Sequence, residues 1–446
     1  MINKITLVGL LTLLICGTAT AQVSNDSLAA SINSLKKDVS GLKKLKVSGY
    51  VQAQFQYADS SGQQSFNGGN FAAGVDKRFM VRRGRAKFQY TGSANSKGIT
   101  TSMAVLQIDG TEKGLTLKDA YVKLTDPWSG WVSVTGGLFV KPFGHEIFYS
   151  SSLRESPERS RMIQLLFPGE RDLGGMITIQ GPSKSGFEWL KLEAGWFNGN
   201  GAPGAGGDVS DFDKKKDFSG RLSLEKNFSD NKLKVGLGLS YYAGGYRIDS
   251  VNVYKSGTGA NGVKGFIVES AATDNGALGI GSRNYTERNY MGVDAQISYD
   301  WKAGQTSLRA EVISGEQPGS SSDTKSPNDK NPVTKDIYMR NFGGAVFYLT
   351  QQIAKTPFQV VLKYDWYDPN TDVEGNDIGK SSSVKSTGVA DLRYDTFGVG
   401  AAWMVDSNLK ISTYYDMVTN EKSENLSGYT KDRTDNVVTV RMQMKF

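Results

Sequence analysis

The sequence predicts an all-β protein, a transmembrane antiparallel β-barrel of about sixteen strands preceded by a short helical, coiled-coil-like segment. Three observations predict it. From Val47 onward, apolar and polar residues alternate with a period of two through many successive segments. The connections between those segments alternate between short and long, as periplasmic turns and outer loops of a bacterial barrel do. The chain ends Val437-Val438-Thr439-Val440-Arg441-Met442-Gln443-Met444-Lys445-Phe446, with Val438, Val440, Met442, Met444 and Phe446 on one face and Thr439, Arg441, Gln443 and Lys445 on the other. A strand that is apolar outward and charged inward suits a wall between lipid and water. A final aromatic suits the interface where the last strand closes such a barrel.

The first element is a secretory signal over 1–21. Lys4 precedes an apolar run from Ile5 to Ile15, and Ala19-Thr20-Ala21 supplies the small residues of a cleavage site, so the mature chain is expected to begin near Gln22. Leu13-Leu14-Ile15-Cys16 loosely matches a lipidation motif, but Ile15 stands where a small residue is needed. Cys16 leaves with the signal, which excludes a disulfide scaffold and thiolate metal sites from the rest. Residues 22–45 form a periplasmic helical segment in which Leu28, Ile32, Leu35, Val39 and Leu42 recur at four- and three-residue spacing, a coiled-coil seam.

Residues 46–446 form the barrel. Its strands are expected at 46–57, 78–91, 99–109, 115–125, 131–140, 173–181, 189–197, 217–228, 232–243, 287–301, 305–315, 337–350, 357–367, 392–405, 408–419 and 434–446. Outward faces include Leu233, Val235, Leu237, Leu239 and Tyr241, with Lys232 and Lys234 opposite. The strand around Asn341-Phe342-Gly343-Gly344 alternates poorly and gives no orientation. Trp128, Trp131, Trp189, Trp196, Trp301, Trp366 and Trp403 fall near strand ends, where an aromatic girdle would stand. Hydrophobic residues make up only 38%, low for a bundle of membrane helices and ordinary for a barrel, where alternate residues face lipid. Sixteen strands enclose a water-filled lumen, so the architecture implies passage of solutes. The formal net charge of +7 is a mild excess compatible with anionic ones.

Two constellations carry the candidate selectivity. Arg83, Arg85 and Lys87 share a strand face with Gln89 and would line the lumen as a ladder of cations. Arg82 points the other way unless a bulge or the strand end reorients it. Guanidinium forks bind oxyanions in pairs. The alternative is ordinary lumen charge balanced by Asp119, Glu225, Asp294 and Asp365. The second constellation is the long segment 141–172, expected to fold inward and narrow the pore, with Arg154, Arg159, Arg161 and Arg171 focusing a positive field. Alternatively these arginines pair with Glu155, Glu158, Glu170 and Asp172 and pin the loop.

The order of motifs resembles the phosphate-selective porin O and P family of bacterial outer membranes. The matching pieces are Ser48-Gly49-Tyr50-Val51-Gln52-Ala53-Gln54-Phe55, Phe79-Met80-Val81-Arg82-Arg83-Gly84-Arg85 and Gly137-Leu138-Phe139-Val140-Lys141-Pro142-Phe143-Gly144, then Ser156-Pro157-Glu158-Arg159-Ser160 and Gly169-Glu170-Arg171-Asp172-Leu173-Gly174. The resemblance implies a homotrimeric, sixteen-stranded anion channel of the outer membrane, with Arg82, Arg83 and Arg85 leading to a constriction. It does not fix phosphate or polyphosphate as the solute. A general or differently selective porin, and a structural or adhesive surface barrel, are the competing readings.

No cofactor, metal centre, nucleic-acid module or enzymatic activity is expected. His145, the single histidine, with Ser150–Ser152 nearby, is the one catalytic-looking cluster and reads as loop hydrogen bonding. Asp208, Asp211 and Asp213, like Asp368, Asn370 and Asp372, lack the spacing of a calcium loop and read as solvated outer loop.

Overall fold

The computed structural model describes residues 25–201, 211, 214–228, 232–245, 251–270, 285–325 and 336–446. The expected signal over 1–21 lies outside them. Helix α1, Asn25–Leu42, forms a unit of its own. Its Ile32, Leu35 and Val39 are exposed.

The second unit begins at Val47. Its strands are β1 Leu45–Ala58, β2 Lys77–Thr91, β3 Ser102–Thr111, β4 Gly114–Thr125, β5 Val132–Val140, β6 Arg171–Gln180, β7 Leu190–Phe197, β8 Asp217–Phe228 and β9 Leu233–Gly244. They continue as β10 Val253–Thr258, β11 Lys264–Ser270, β12 Arg288–Trp301, β13 Gly304–Gly319, β14 Ile337–Gln352, β15 Phe358–Asp368, β16 Tyr394–Met404, β17 Leu409–Asn420 and β18 Val437–Lys445. A short helix α2, Arg161–Leu166, lies between β5 and β6.

Sixteen of these strands close an antiparallel barrel, because β9 pairs with β12 and β18 pairs with β1. Closure leaves no sheet edge whose backbone groups would face lipid unpaired. The remaining two strands form a hairpin that the sequence reading took for polar loop. β10 pairs with β11 and lies parallel to the first residues of β14, extending the wall at the long-loop end. Val253, Ile337 and Met339 are buried together there, so the segment earns its order from packing with β14 rather than from its own alternation.

The seam runs from Tyr50 opposite Lys445 to Ala58 opposite Val437, and Phe446 exchanges backbone hydrogen bonds with Gly49 (2.9 and 3.0 Å). Val51, Val440, Met442, Met444 and Phe446 are exposed outward, whereas Gln52, Gln54, Gln56, Thr439, Arg441 and Gln443 are buried inside. Gly49 is required at the seam, since a Cβ there would overlap the Arg85 carbonyl and the Phe446 ring. Gly49→Val is expected to lower barrel stability by roughly 1–3 kcal/mol through overpacking, read as a lower melting temperature and loss of the compact, unheated gel form.

β14 alternates poorly for a physical reason. Its inward Phe342 and Tyr348 are buried, and Gly344 lies against Met162, so a second layer covers the face that elsewhere meets water.

Candidate functional site

That second layer is the segment between β5 and β6. Its first anchor is apolar. Phe143, Ile147, Met162, Ile163, Leu166 and Phe167 pack against Tyr242 on β9, Tyr290 on β12, Ile313 on β13, Phe342 on β14 and Tyr367 on β15. The turn into the lumen is possible because Gly144 adopts φ +59 and has no side chain to meet Glu311. The backbone N–H groups of His145 and Glu146 then donate to Glu311 Oε2 at 2.9 and 2.7 Å, and Gly144 N donates to Ser240 Oγ at 2.9 Å. Ser160 caps α2 by accepting from Ile163 N, and itself donates to Glu146, whose carboxylate also accepts from Tyr348.

The second anchor is ionic and lies at the barrel seam. Glu158 accepts from Arg82 (Nε 2.7 Å, Nη2 2.9 Å), Arg83 (Nη2 2.5 Å, Nη1 3.2 Å) and Arg441 (Nη2 3.1 Å). Arg441 also donates to Pro157 O at 2.8 Å, and Gln52 and Gln443 donate to Ser151 O and Ser152 O. The loop therefore crosses from the β9–β15 wall to β1, β2 and β18.

Arg82 faces inward, correcting the simple alternation. Phe79 and Val81 are exposed on the outer face, but so are Phe88 and Tyr90, so β2 changes parity between them and turns consecutive arginines into the lumen. A ladder without an interleaved acid is also corrected. Glu158 stands between Arg82 and Arg83, and Asp109 on β3 accepts from Arg85 Nε at 2.9 Å. Folding brings these acids in from other segments, which no alternation within one strand can reveal.

The loop arginines divide. Arg159 pairs with Glu170 and donates to Glu146 O and Ile147 O, tying the loop to itself. Arg171 pairs with Asp119 (2.8 Å) and Glu170 (3.0 Å). The buried Arg154 side chain makes one hydrogen bond among the described residues, Nη2 to Tyr149 O at 3.4 Å, while its Nε and Nη1 have no partner among them. Arg161 forms no ion pair among the described residues and is stacked between Phe66 (4.4 Å) and Tyr394 (3.6 Å). Lys87 is half-buried on the inner face of β2 and forms no ion pair among the described residues.

Two further lysines stand on β4. β4 carries a bulge where Gln107 pairs with Asp119 but Ile108 with Leu117, so Lys118 is the extra residue. Lys118 sits in the combined field of Arg83, Arg85 and Arg171, offset by Asp109. Lys123 lies further along β4, within the field of Lys191 and Glu193. Neither forms an ion pair among the described residues. The sequence reading missed both. The available signal was the outward parity of β4, which switches between Leu115 and Leu117 on one side and Val122 and Leu124 on the other. Across from them Phe148, 38% exposed, lies 5.9 Å from Lys191 and 5.8 Å from Arg221.

His145 stacks on Tyr149, and burial lowers its pKa to about 4, so the ring is neutral at ordinary pH. Its side chain bonds no serine among the described residues. Asp208 and Asp213 lie outside the described residues, and Asp211 pairs with Lys216 at 2.7 Å. Asp368 and Asn370 accept from the backbone of Asn370 and Asp372 as ordinary turn contacts.

A closed sixteen-stranded wall with an apolar exterior and a long loop folded across its lumen defines the bacterial outer-membrane porin fold, and the chain has that fold. Pseudomonas putida OprB superposes with a TM-score of 0.55 at 12% identity, covering 93% of this chain and 97% of that one. The outer-membrane channel DcaP of Acinetobacter baumannii gives 0.50 at 8% identity, and Salmonella typhi OmpF gives 0.50 at 10%, each covering 90% of this chain and 97% of its own. No family model matches the sequence. No curated protein matches it.

Proposed function

We propose that the chain is an outer-membrane porin for passive diffusion of small inorganic and organic anions, inorganic phosphate among them. The observation that carries this reading is the set of Lys87, Lys118 and Lys123 on β2 and β4, cations with no carboxylate partner among the described residues. Arg85, Arg159 and Arg171 serve the architecture, because a guanidinium matched by its own buried carboxylate contributes little net charge to a passing ion. The lysines retain theirs, and low-dielectric walls focus it.

The test is single-channel recording of the purified protein in planar bilayers. Arg85→Ala combined with Asp109→Asn, which removes both members of an ion pair, is expected to change the chloride-to-potassium permeability ratio less than Lys118→Ala does, because the pair carries no net charge. A larger effect at Arg85 returns selectivity to the arginine ladder.

We further propose that the barrels associate as homotrimers, with the exposed seam of α1 contributing to association. Leu35→Glu with Val39→Glu is expected to shift the assembly toward smaller species in sedimentation velocity, with the barrel still folded. An unchanged distribution removes α1 from the interface.

A further inference from the structure

At the long-loop end, separate from the three lysines, a cavity of about 370 Å³ opens between the loop after β1 and the loop before β18. Its floor is Arg161. The Phe66 and Tyr394 rings lie 4.4 and 3.6 Å from its guanidinium carbon, so the cation rests against aromatic rings and keeps N–H donors for a ligand. Unlike Arg82, Arg83, Arg85, Arg159 and Arg171, it carries no ion pair among the described residues.

The opposing charge in the same cavity is Asp435. Its Oδ1 is buried and has no hydrogen-bond partner. Gln63 fixes the segment by donating to the Asp435 carbonyl at 2.6 Å. Desolvation pushes the Asp435 carboxyl up to about 6, a cost that a bound cationic donor would relieve. Arg433, which donates to Tyr429 OH at 2.8 Å, lines the same cavity and adds to its positive side. Beside Arg161 a smaller void is lined by Asp365, Asp416 and Asp435 together with Arg159 and Lys363, so carboxylates and cations are mixed around the guanidinium.

We propose that this cavity is a binding subsite for small zwitterions of the α-amino acid class, with the carboxylate on the edge of Arg161 and the ammonium on Asp435. Lys431 and Asp432 also line the cavity, and Ser60, Gln64, Thr430 and Thr434 add hydroxyl and amide groups suited to a polar side chain. The subsite does not depend on the anion preference proposed for the lumen, because its contacts lie in the outer loops and its test reads binding, not conductance.

The test is equilibrium binding to the full chain in detergent, by calorimetry, with L-alanine, propionate, ethylamine and inorganic phosphate as probes. L-alanine is expected to bind more tightly than propionate or ethylamine. Arg161→Gln should weaken L-alanine and propionate about tenfold, the loss of one charged hydrogen-bonding pair. Asp435→Asn should weaken L-alanine to the level of propionate and leave propionate unchanged. Unheated gel mobility confirms that each variant is folded, and Asp435→Asn, in an exposed loop, carries the test if Arg161→Gln does not fold. Equal binding of L-alanine and propionate by the unaltered protein overturns the proposal. So does phosphate binding in preference to L-alanine, or insensitivity of L-alanine binding to Asp435→Asn.

Discussion

Glu158→Gln is expected to raise single-channel conductance and increase anion preference while lowering the melting temperature of the barrel. One carboxylate is shared by Arg82, Arg83 and Arg441 and pins the loop to the seam. Removing its charge leaves three guanidinium groups facing one another with nothing between them, and breaking a buried pair of this kind costs about 3–5 kcal/mol. The loop keeps its apolar anchor on β9–β15, so the expected product is a folded barrel with the seam-side part of the loop released. Recordings and thermal melts on the same preparation check both halves, and a variant with unaltered conductance and melting temperature contradicts the latch.

The same latch fixes a pH dependence. Burial pushes the Glu158 carboxyl up, but Arg82, Arg83 and Arg441 together outweigh it and hold the group well below the usual carboxylate range. A carboxyl depressed by folding stabilises the fold at every pH above its unfolded value, and loses that contribution as pH falls through the folded value. Conductance should therefore be insensitive to Glu158 between neutral pH and mild acid, and the loop should release in stronger acid. Release between pH 7 and 5 would assign the latch to another group.

Lys118→Glu combined with Lys87→Glu and Lys123→Glu is expected to turn the channel from anion- to cation-preferring. A unit charge about 4 Å from a permeating ion is worth about 1–4 kcal/mol at intermediate to high dielectric. Reversing even one lysine therefore shifts a permeability ratio by roughly tenfold. The predicted order follows placement: Lys118, aimed inward by its bulge and surrounded by other cations, should matter most. A triple variant that retains the original preference would remove these lysines from the selective path.

The barrel was legible in the sequence because lipid imposes a period of two on nearly every wall strand. All sixteen wall strands fall where the alternation places them, to within a few residues, and the seam at Phe446 follows from the last strand's pattern. Legibility failed where something other than water or lipid covers a strand. β14 carries Phe342 and Gly344 inward because a loop packs there, and β10–β11 leans on β14 instead of showing its own pattern. Pairing of Arg159 and Arg171 with Glu170 was among the sequence alternatives, but the partners of the strand arginines depended on closure: Glu158 reaches Arg441, which lies 283 residues away. Changes of parity hid the rest, since they send Arg82 and, through the β4 bulge, Lys118 to the face that strict alternation denies them.

The most direct measurement is the reversal potential of the purified protein in a planar bilayer separating two concentrations of potassium chloride. An anion-preferring lumen set by Lys87, Lys118 and Lys123 predicts a potential of the sign given by chloride, which moves toward zero or reverses in the triple glutamate variant. A potential of the sign given by potassium in the unaltered protein, or a bilayer that carries no current at all, would contradict it.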